Sequence, residues 1–268
     1  MKALLIDGLN LIRRIYAAVP GDQGTAAHLD GALSSSASSL TRALHEHRPT
    51  HVVAVFEAQG ENWRHELFAD YKSKRPPMPA PLQAALPRFE AAFLEHGVQS
   101  VSAPGYEADD VLATLALKIA DHDGNVVILS TDHIICQLDS DRIRIYDHFG
   151  ERFLDRQHIE RRYDVLPAQL PALHALAGDS ALSITGIKSV GLHTAAKLIH
   201  DHGSLEKIFE AAEEMPGKLG SKLRGGREDA MLARQLFTLN TDVHLGINLN
   251  ELRYPPADPG GQTDSRGA

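Results

Sequence analysis

Four short runs of strand-like residues, separated by stretches of helical periodicity, constrain this 268-residue chain more than any other feature. They are Ala3-Leu4-Leu5-Ile6, Val52-Val53-Ala54-Val55-Phe56, Val98-Gln99-Ser100-Val101 and Val126-Val127-Ile128-Leu129. The first, second and fourth are continuous apolar runs, which suit strands buried on both faces, and the third reads as a short strand. Leu11, Ile12, Ile15 and Tyr16 mark a helix after the first run, carrying Arg13 and Arg14, and residues 29–47 and 81–95 read as further helices. The alternation predicts an α/β fold, a mostly parallel central sheet flanked by helices. A further run, Arg142 to Tyr146, reads as an edge strand. In such sheets the functional crevice lies outside the carboxyl ends of the strands. Three of the runs end in an acid: Asp7, Glu57 and Asp132.

The third run leads into Gly105-Tyr106-Glu107-Ala108-Asp109-Asp110. Ala108, Val111, Leu112, Leu115, Ala116 and Ile119 form one apolar stripe, so three carboxylates fall in the first turn of an amphipathic helix. Acids there cap free N–H groups and complement the helix dipole, each for about 0.3–1 kcal/mol. Three in four residues also repel one another, and a divalent cation offsets that repulsion; oxygen ligands suit Mg²⁺ or Mn²⁺. Both readings fit the segment alone. The acids ending the other strands converge on the same edge, which favours a metal site.

Composition sets the remaining bounds. A net charge of -8 excludes nucleic-acid binding by bulk charge and leaves it to a local basic surface. The single cysteine, Cys136, excludes an intrachain disulfide and fits a reducing, cytoplasmic setting. No stretch approaches a membrane span. From residue 155 the pattern turns helical, with expected helices at 158–163, 170–177, 193–200, 205–212 and 227–239. Ile184-Thr185-Gly186-Ile187-Lys188-Ser189-Val190-Gly191 links two of them, and its N–H groups at a helix start offer a phosphate site. The Pro- and Gly-rich tail, 254–268, is expected to be disordered. The expected organisation is therefore a catalytic α/β part at 1–154, a helical part at 155–253, and the tail.

Several blocks, in order, resemble the 5′-nuclease family: the 5′→3′ exonuclease domain of bacterial DNA polymerase I and, most closely, stand-alone Xni-type flap endonucleases. They are Leu4-Leu5-Ile6-Asp7-Gly8 with Arg14 and Tyr16, Trp63-Arg64-His65, Asp70-Tyr71-Lys72 through Arg75-Pro76-Pro77, Glu107-Ala108-Asp109-Asp110, Ser130-Thr131-Asp132 and Gly178-Asp179-Ser180. The resemblance implies a PIN-like sheet, an arch at 58–80, a helix-hairpin-helix (H3TH) DNA-binding motif, and Mg²⁺- or Mn²⁺-dependent hydrolysis of DNA bearing 5′ flaps, branches or 5′ ends. By the same resemblance Asp7, Glu57, Glu107, Asp109, Asp110, Asp132 and Asp179 hold metal. Lys72 and Arg75 act on the scissile phosphate beside Asp109 and Asp110. Tyr71 stacks on a splayed base and Arg14 positions a phosphate. The hairpin takes K⁺ on the backbone carbonyls of Leu176, Ala177, Thr185, Ile187 and Val190, and binds DNA through Ser189, Val190, Gly191, Leu192, His193 and Thr194. No polymerase domain is expected in this chain, a polymerase working in trans, and a monomer is the default expectation.

The chain also departs from the family pattern. Glu57 stands where the polymerase-type domains carry Asp, Ile134 and Leu182 where further acids are usual, and Ser189 and His193 where Gly and Lys are usual. Two second-metal ligands are thereby lost, which implies one firm metal site, a weakened second one, and weak or absent exonuclease activity. The competing readings are a branched-DNA-binding protein with little catalysis and a PIN-like ribonuclease.

Overall fold

The computed structural model describes residues 1–255; the expected disordered tail, 254–268, starts too early, because the Tyr254 N–H donates to the Thr50 carbonyl at 2.9 Å and its side chain packs on the core, while residues 256–268 lie outside the described residues. Strands β1 (Lys2–Asp7), β2 (His51–Val55), β3 (Gln99–Val101), β4 (Asn125–Leu129), β5 (Ile143–Asp147) and β6 (Arg152–Phe153) form one sheet in the order β3-β2-β1-β4-β5-β6. The first five are parallel, and β6 runs antiparallel to β5. The expected edge strand is therefore interior: β5 pairs with β4 on one side and is closed on the other by the two-residue β6, too short to carry a periodic signal.

Alternate residues of β1 enter two different cores. Ala3 and Leu5 pack with Val53, Ile128 and the apolar stripe of helix α5 (Ala108–Asp121). Leu4 and Ile6 pack with helices α1 (Gly8–Ala18), α2 (Ala26–His47) and α4 (Ala80–Glu95), including Phe89 and Phe93. Burial on both faces explains the unbroken apolar runs. The short helix α3 (Trp63–Leu67) was not legible as periodicity, because five residues make little more than one turn.

The second half is helical: α6 (Arg156–Tyr163), α7 (Leu170–Ala177), α8 (Leu192–His202), α9 (Leu205–Ala212), α10 (Gly217–Gly225) and α11 (Arg227–Phe237). A two-stranded hairpin, β7 (Gly178–Asp179) with β8 (Ile184–Thr185), links α7 towards α8. This helical half packs on the α5 side, sharing one continuous core with that face of the sheet. Among the described residues no helix is long and apolar enough to cross a membrane.

Candidate active site

At the carboxyl edge of the sheet lies a cavity of about 610 Å³. Asp7 ends β1, Glu57 follows β2, Asp109 sits in the first turn of α5, Asp132 follows β4, and Asp179 lies in β7. All five line the cavity, with Glu107 beside them, and so do Arg14, Tyr71, Lys72 and Arg75. Residues more than 170 positions apart in sequence thus meet at one place, as crossover topology requires when every parallel strand points the same way.

The carboxylates there carry uncompensated charge. Burial, followed by repulsion from Asp132 and Glu57, pushes Asp7 up to about 7, despite hydrogen bonds from the Asn10 N–H and the Ser130 hydroxyl. Asp109 is raised as well, first by burial and then by the charges of Asp132, Asp7 and Glu107. Lys72 partly answers that charge, its Nζ lying 2.6 Å from Glu107 Oε1 and 3.9 Å from Glu57 Oε1. A side-chain ammonium thus occupies ground that suits a cation. The acids line the cavity rather than meet at a point: among the described residues no three His, Cys, Asp or Glu side chains stand close enough together to hold an ion as placed.

Asp110 departs from its expected role as ligand and catalytic group. It is fully buried and lies outside the cavity lining. Arg64 donates to both its oxygens, at 2.7 and 2.9 Å, while Trp63 Nε1 and the Asn240 N–H complete its shell at 3.0 and 2.8 Å. A carboxylate so surrounded has no lone pair facing the cleft. Arg64 also reaches Glu107 Oε2 at 3.4 Å and donates through Nε to the carbonyl of Leu236 at the end of α11. Burial pulls the guanidinium pKa down, but the hydrogen bond and charge of Asp110, then Glu107, outweigh it and raise it. The block Trp63-Arg64-His65 was visible in the sequence; its function as the buried counter-ion of the acidic helix was not.

Tyr71 also departs from expectation. It is only 4% exposed and gives its hydroxyl to Glu107 Oε2 at 3.1 Å, so it packs under the acids instead of offering a face to a base. Arg75 and Arg14 are exposed, and Arg14 Nη1 donates to Thr131 Oγ1 at 3.2 Å. The cavity further includes Arg13, which the first helix carries without an assigned role, and Arg162, His133 and His174, which no sequence motif marks. Ile134 and Leu182, standing where the family pattern has further acids, pack against the core and give the cleft lining apolar side chains there.

The expected carbonyl positions fall at the end of α7 (Leu176, Ala177), in β8 (Thr185) and in the loop before α8 (Ile187, Val190). The Ile187 N–H donates to the Leu176 carbonyl at 2.8 Å and the Val190 N–H to Ile187 at 2.9 Å. The two backbone passes touch so closely that a Cβ on Gly186 would lie 2.3 Å from the Gly178 nitrogen, and Gly178 itself adopts φ +77°. Ser189 takes φ +67°, a left-handed conformation that favours glycine. Ser189, Gly191, Leu192 and His193 are exposed, Thr194 is half-buried, and Val190 is buried, leaving its backbone rather than its side chain to any ligand. The segment after α3 is tied to this half, with the Lys72 N–H on the Leu182 carbonyl at 2.9 Å and the Lys74 N–H on Ser183 Oγ at 3.1 Å.

Residues 2–164 match the family described as 5'-3' exonuclease, N-terminal resolvase-like domain, and residues 165–260 match its C-terminal SAM fold. The chain belongs to the 5'-3' exonuclease family. Within it the chain is similar to proteins named flap endonuclease Xni. The one from Photorhabdus laumondii is 41% identical over 252 residues, covering 93% of this chain and 96% of that protein. The one from Cronobacter sakazakii is 42% identical, covering 93% and 97%. Among solved structures, the bacteriophage T5 5'-exonuclease with zinc ions bound superposes with TM-score 0.74 at 20% identity, covering 90% of each chain. A T5 flap endonuclease pseudo-enzyme–product complex with DNA and metal ions gives 0.73, again at 20% identity and 90% of each chain.

Proposed function

We propose that this chain is a metal-dependent, structure-specific DNA nuclease that cuts near the junction of a 5′ flap. The observation that carries the reading is the convergence of Asp7, Glu57, Glu107, Asp109, Asp132 and Asp179 on one cleft with Lys72, Arg75 and Arg14 at its side. The names of the relatives, and the metal ions and DNA bound in the fold neighbours, agree with it. The donor set is all oxygen, which suits Mg²⁺ or Mn²⁺. The raised pKa values of Asp7 and Asp109 are what a site built around a cation has without one.

Asp109 and Asp7, with Glu57 and Glu107, would hold the firm metal; Asp132 and Asp179, without acids at 134 and 182, would hold a weaker second one. The ion supplies an activated water and neutralises charge on the phosphate. Lys72, now on Glu107, would turn to the phosphate, and Arg75 would stabilise charge building on its oxygens. Arg14 would position a neighbouring phosphate. Asp110 acts through Arg64, holding Glu107 in place. The hairpin would take K⁺ on the carbonyls of Leu176, Ala177, Thr185, Ile187 and Val190, and grip duplex DNA through Ser189 to Thr194. The α/β part, 1–154, would thus carry most of the chemistry, and the helical part, 155–253, would hold the DNA and lend Asp179 to the cleft, in a monomer acting in the cytoplasm.

A 5′-labelled flap incubated with Mg²⁺ and K⁺ tests this, beside an Asp109→Ala variant. Cutting at the junction that the variant loses supports the nuclease. No cutting, with flap binding intact in both proteins, supports instead a branched-DNA-binding protein whose catalysis was weakened at Ile134 and Leu182.

A further inference from the structure

Beyond the acids, the same sheet edge carries one aromatic that neither the core nor the metal site uses. After β5 the chain turns through His148, Phe149 and Gly150. Asp147 Oδ1 fixes this turn by accepting the N–H groups of Phe149 and Gly150 at 3.1 and 3.0 Å. Phe149 is 37% exposed and belongs to neither apolar core. The Arg14 guanidinium carbon lies 5.0 Å from its ring centroid. Arg14 is at the same time bonded to Thr131 at 3.2 Å, and both Arg14 and Thr131 line the acid cleft. An aromatic plate with a cation against it therefore stands at the rim of the cleft, aligned from one side by the Asp147 turn and from the other by Thr131.

A second exposed pair, Phe153 with Arg144 at 4.6 Å, differs in kind. Its arginine faces Asp139 at 3.7 Å, and neither residue lines the cleft. Arg14 makes no ion pair among the described residues, which leaves its charge for a ligand. The burial of Tyr71 adds a second reason: that ring lines the cleft but is only 4% exposed, with Lys72 Nζ 5.3 Å from its centroid, so it offers an unpaired base little open face, whereas Phe149 offers more.

We propose that Phe149 and Arg14 form a stacking subsite for one unpaired nucleobase of the DNA substrate. The base lies on the Phe149 ring, and Arg14 takes the adjoining phosphate. This rests on the nucleic-acid reading above. Every base has a π-face, so such a subsite selects unpaired strand over paired strand without selecting sequence.

The test places 2-aminopurine, a fluorescent base quenched by stacking, at successive positions of the unpaired strand and junction of a flap DNA. Binding is titrated without divalent ions, using the full chain, Phe149→Ala and Phe149→Trp. The parent should quench at one position. Phe149→Ala should lose that quenching and about tenfold in affinity, within the roughly 5- to 150-fold that one base stack is worth, while Phe149→Trp keeps both. An abasic residue at that position should abolish the difference between parent and Phe149→Ala. Unchanged melting of the variants, expected for an exposed side chain, confirms that folding is not the cause. Phe149→Ala quenching and binding like the parent at every position overturns the subsite. Cleavage of the same flap in Mg²⁺ reports separately on the nuclease reading: a parent that quenches but does not cut refutes that reading alone. A parent that cuts, with Phe149→Ala indistinguishable in binding and quenching, refutes the subsite alone. A parent that does not bind the flap overturns both.

Discussion

Replacing Arg64 with leucine should destabilise the protein strongly. Arg64 is 2% exposed and shares two short hydrogen bonds with Asp110, which is itself fully buried. The Leu side chain fills much of the space but leaves Asp110 ionised in the core, with the Trp63 Nε1–H and the Asn240 and Glu107 N–H groups but no cation to hold it. Removing one partner of a buried ion pair costs about 3–5 kcal/mol. For a chain of this size each kcal/mol lowers Tm by roughly 2–4 °C, so a fall of about 6–20 °C is expected. Denaturant unfolding at pH 7, followed by circular dichroism, gives the free energy directly. The double variant Arg64→Leu with Asp110→Leu should recover about 2 kcal/mol or more of the loss, because no charge is then stranded. Arg64→Leu within about 1 kcal/mol of the parent, or strictly additive losses in the double variant, would refute the buried-pair assignment. It would also reopen Asp110 as a metal ligand.

The raised pKa of Asp7 makes a signed prediction for the metal-free protein. The folded form keeps a proton on Asp7 up to about pH 7, whereas the ordinary value is 3.8, so this group's contribution to stability is lost as pH rises through about 7. Asp7→Asn keeps the cap on Asn10 but not the charge, and its Tm advantage over the parent should grow between pH 4 and 7, then level off. A constant advantage would contradict the burial of a charged Asp7. In the presence of Mn²⁺ the same variant should lose metal affinity, measured by calorimetry. Lys72→Met should lower single-turnover flap cleavage by about 100-fold, as loss of a fixed charge at a developing oxyanion does, with flap affinity changing far less. Equal losses in rate and affinity would place Lys72 in binding alone. Gly186→Ala, whose Cβ would press on the 177–178 backbone at 2.3 Å, should weaken duplex binding in K⁺ and lower Tm; a variant indistinguishable from the parent would show that the hairpin passes are not packed as described.

The alternation of apolar runs revealed the sheet because strands buried on both faces need uninterrupted apolar residues, and β1 divides its side chains between two cores. The strand-end acids were legible for a topological reason: parallel strands point their carboxyl ends one way. Asp110 is ambiguous in sequence because a buried salt bridge and a metal ligand leave the same mark there, an acid in a helix's first turn. What separates them is Arg64, which arrives from 46 residues away and has no periodic relation to α5. Tyr71 is ambiguous in the same way, since burial of one aromatic in an irregular segment depends on what packs over it. Phe149 carried no signal, sitting in a turn whose position beside Arg14 exists only in three dimensions.

The most direct measurement is the number of Mn²⁺ ions bound by the metal-free protein at pH 8, where Asp7 has lost its proton, counted by electron paramagnetic resonance in the parent and in Asp109→Ala. One tight ion in the parent, absent from the variant, with any second ion binding only weakly, is the expected result. Tight binding that survives Asp109→Ala would contradict the placement of the metal on the acidic helix, and two equally tight ions would contradict the weakened second site at Ile134 and Leu182.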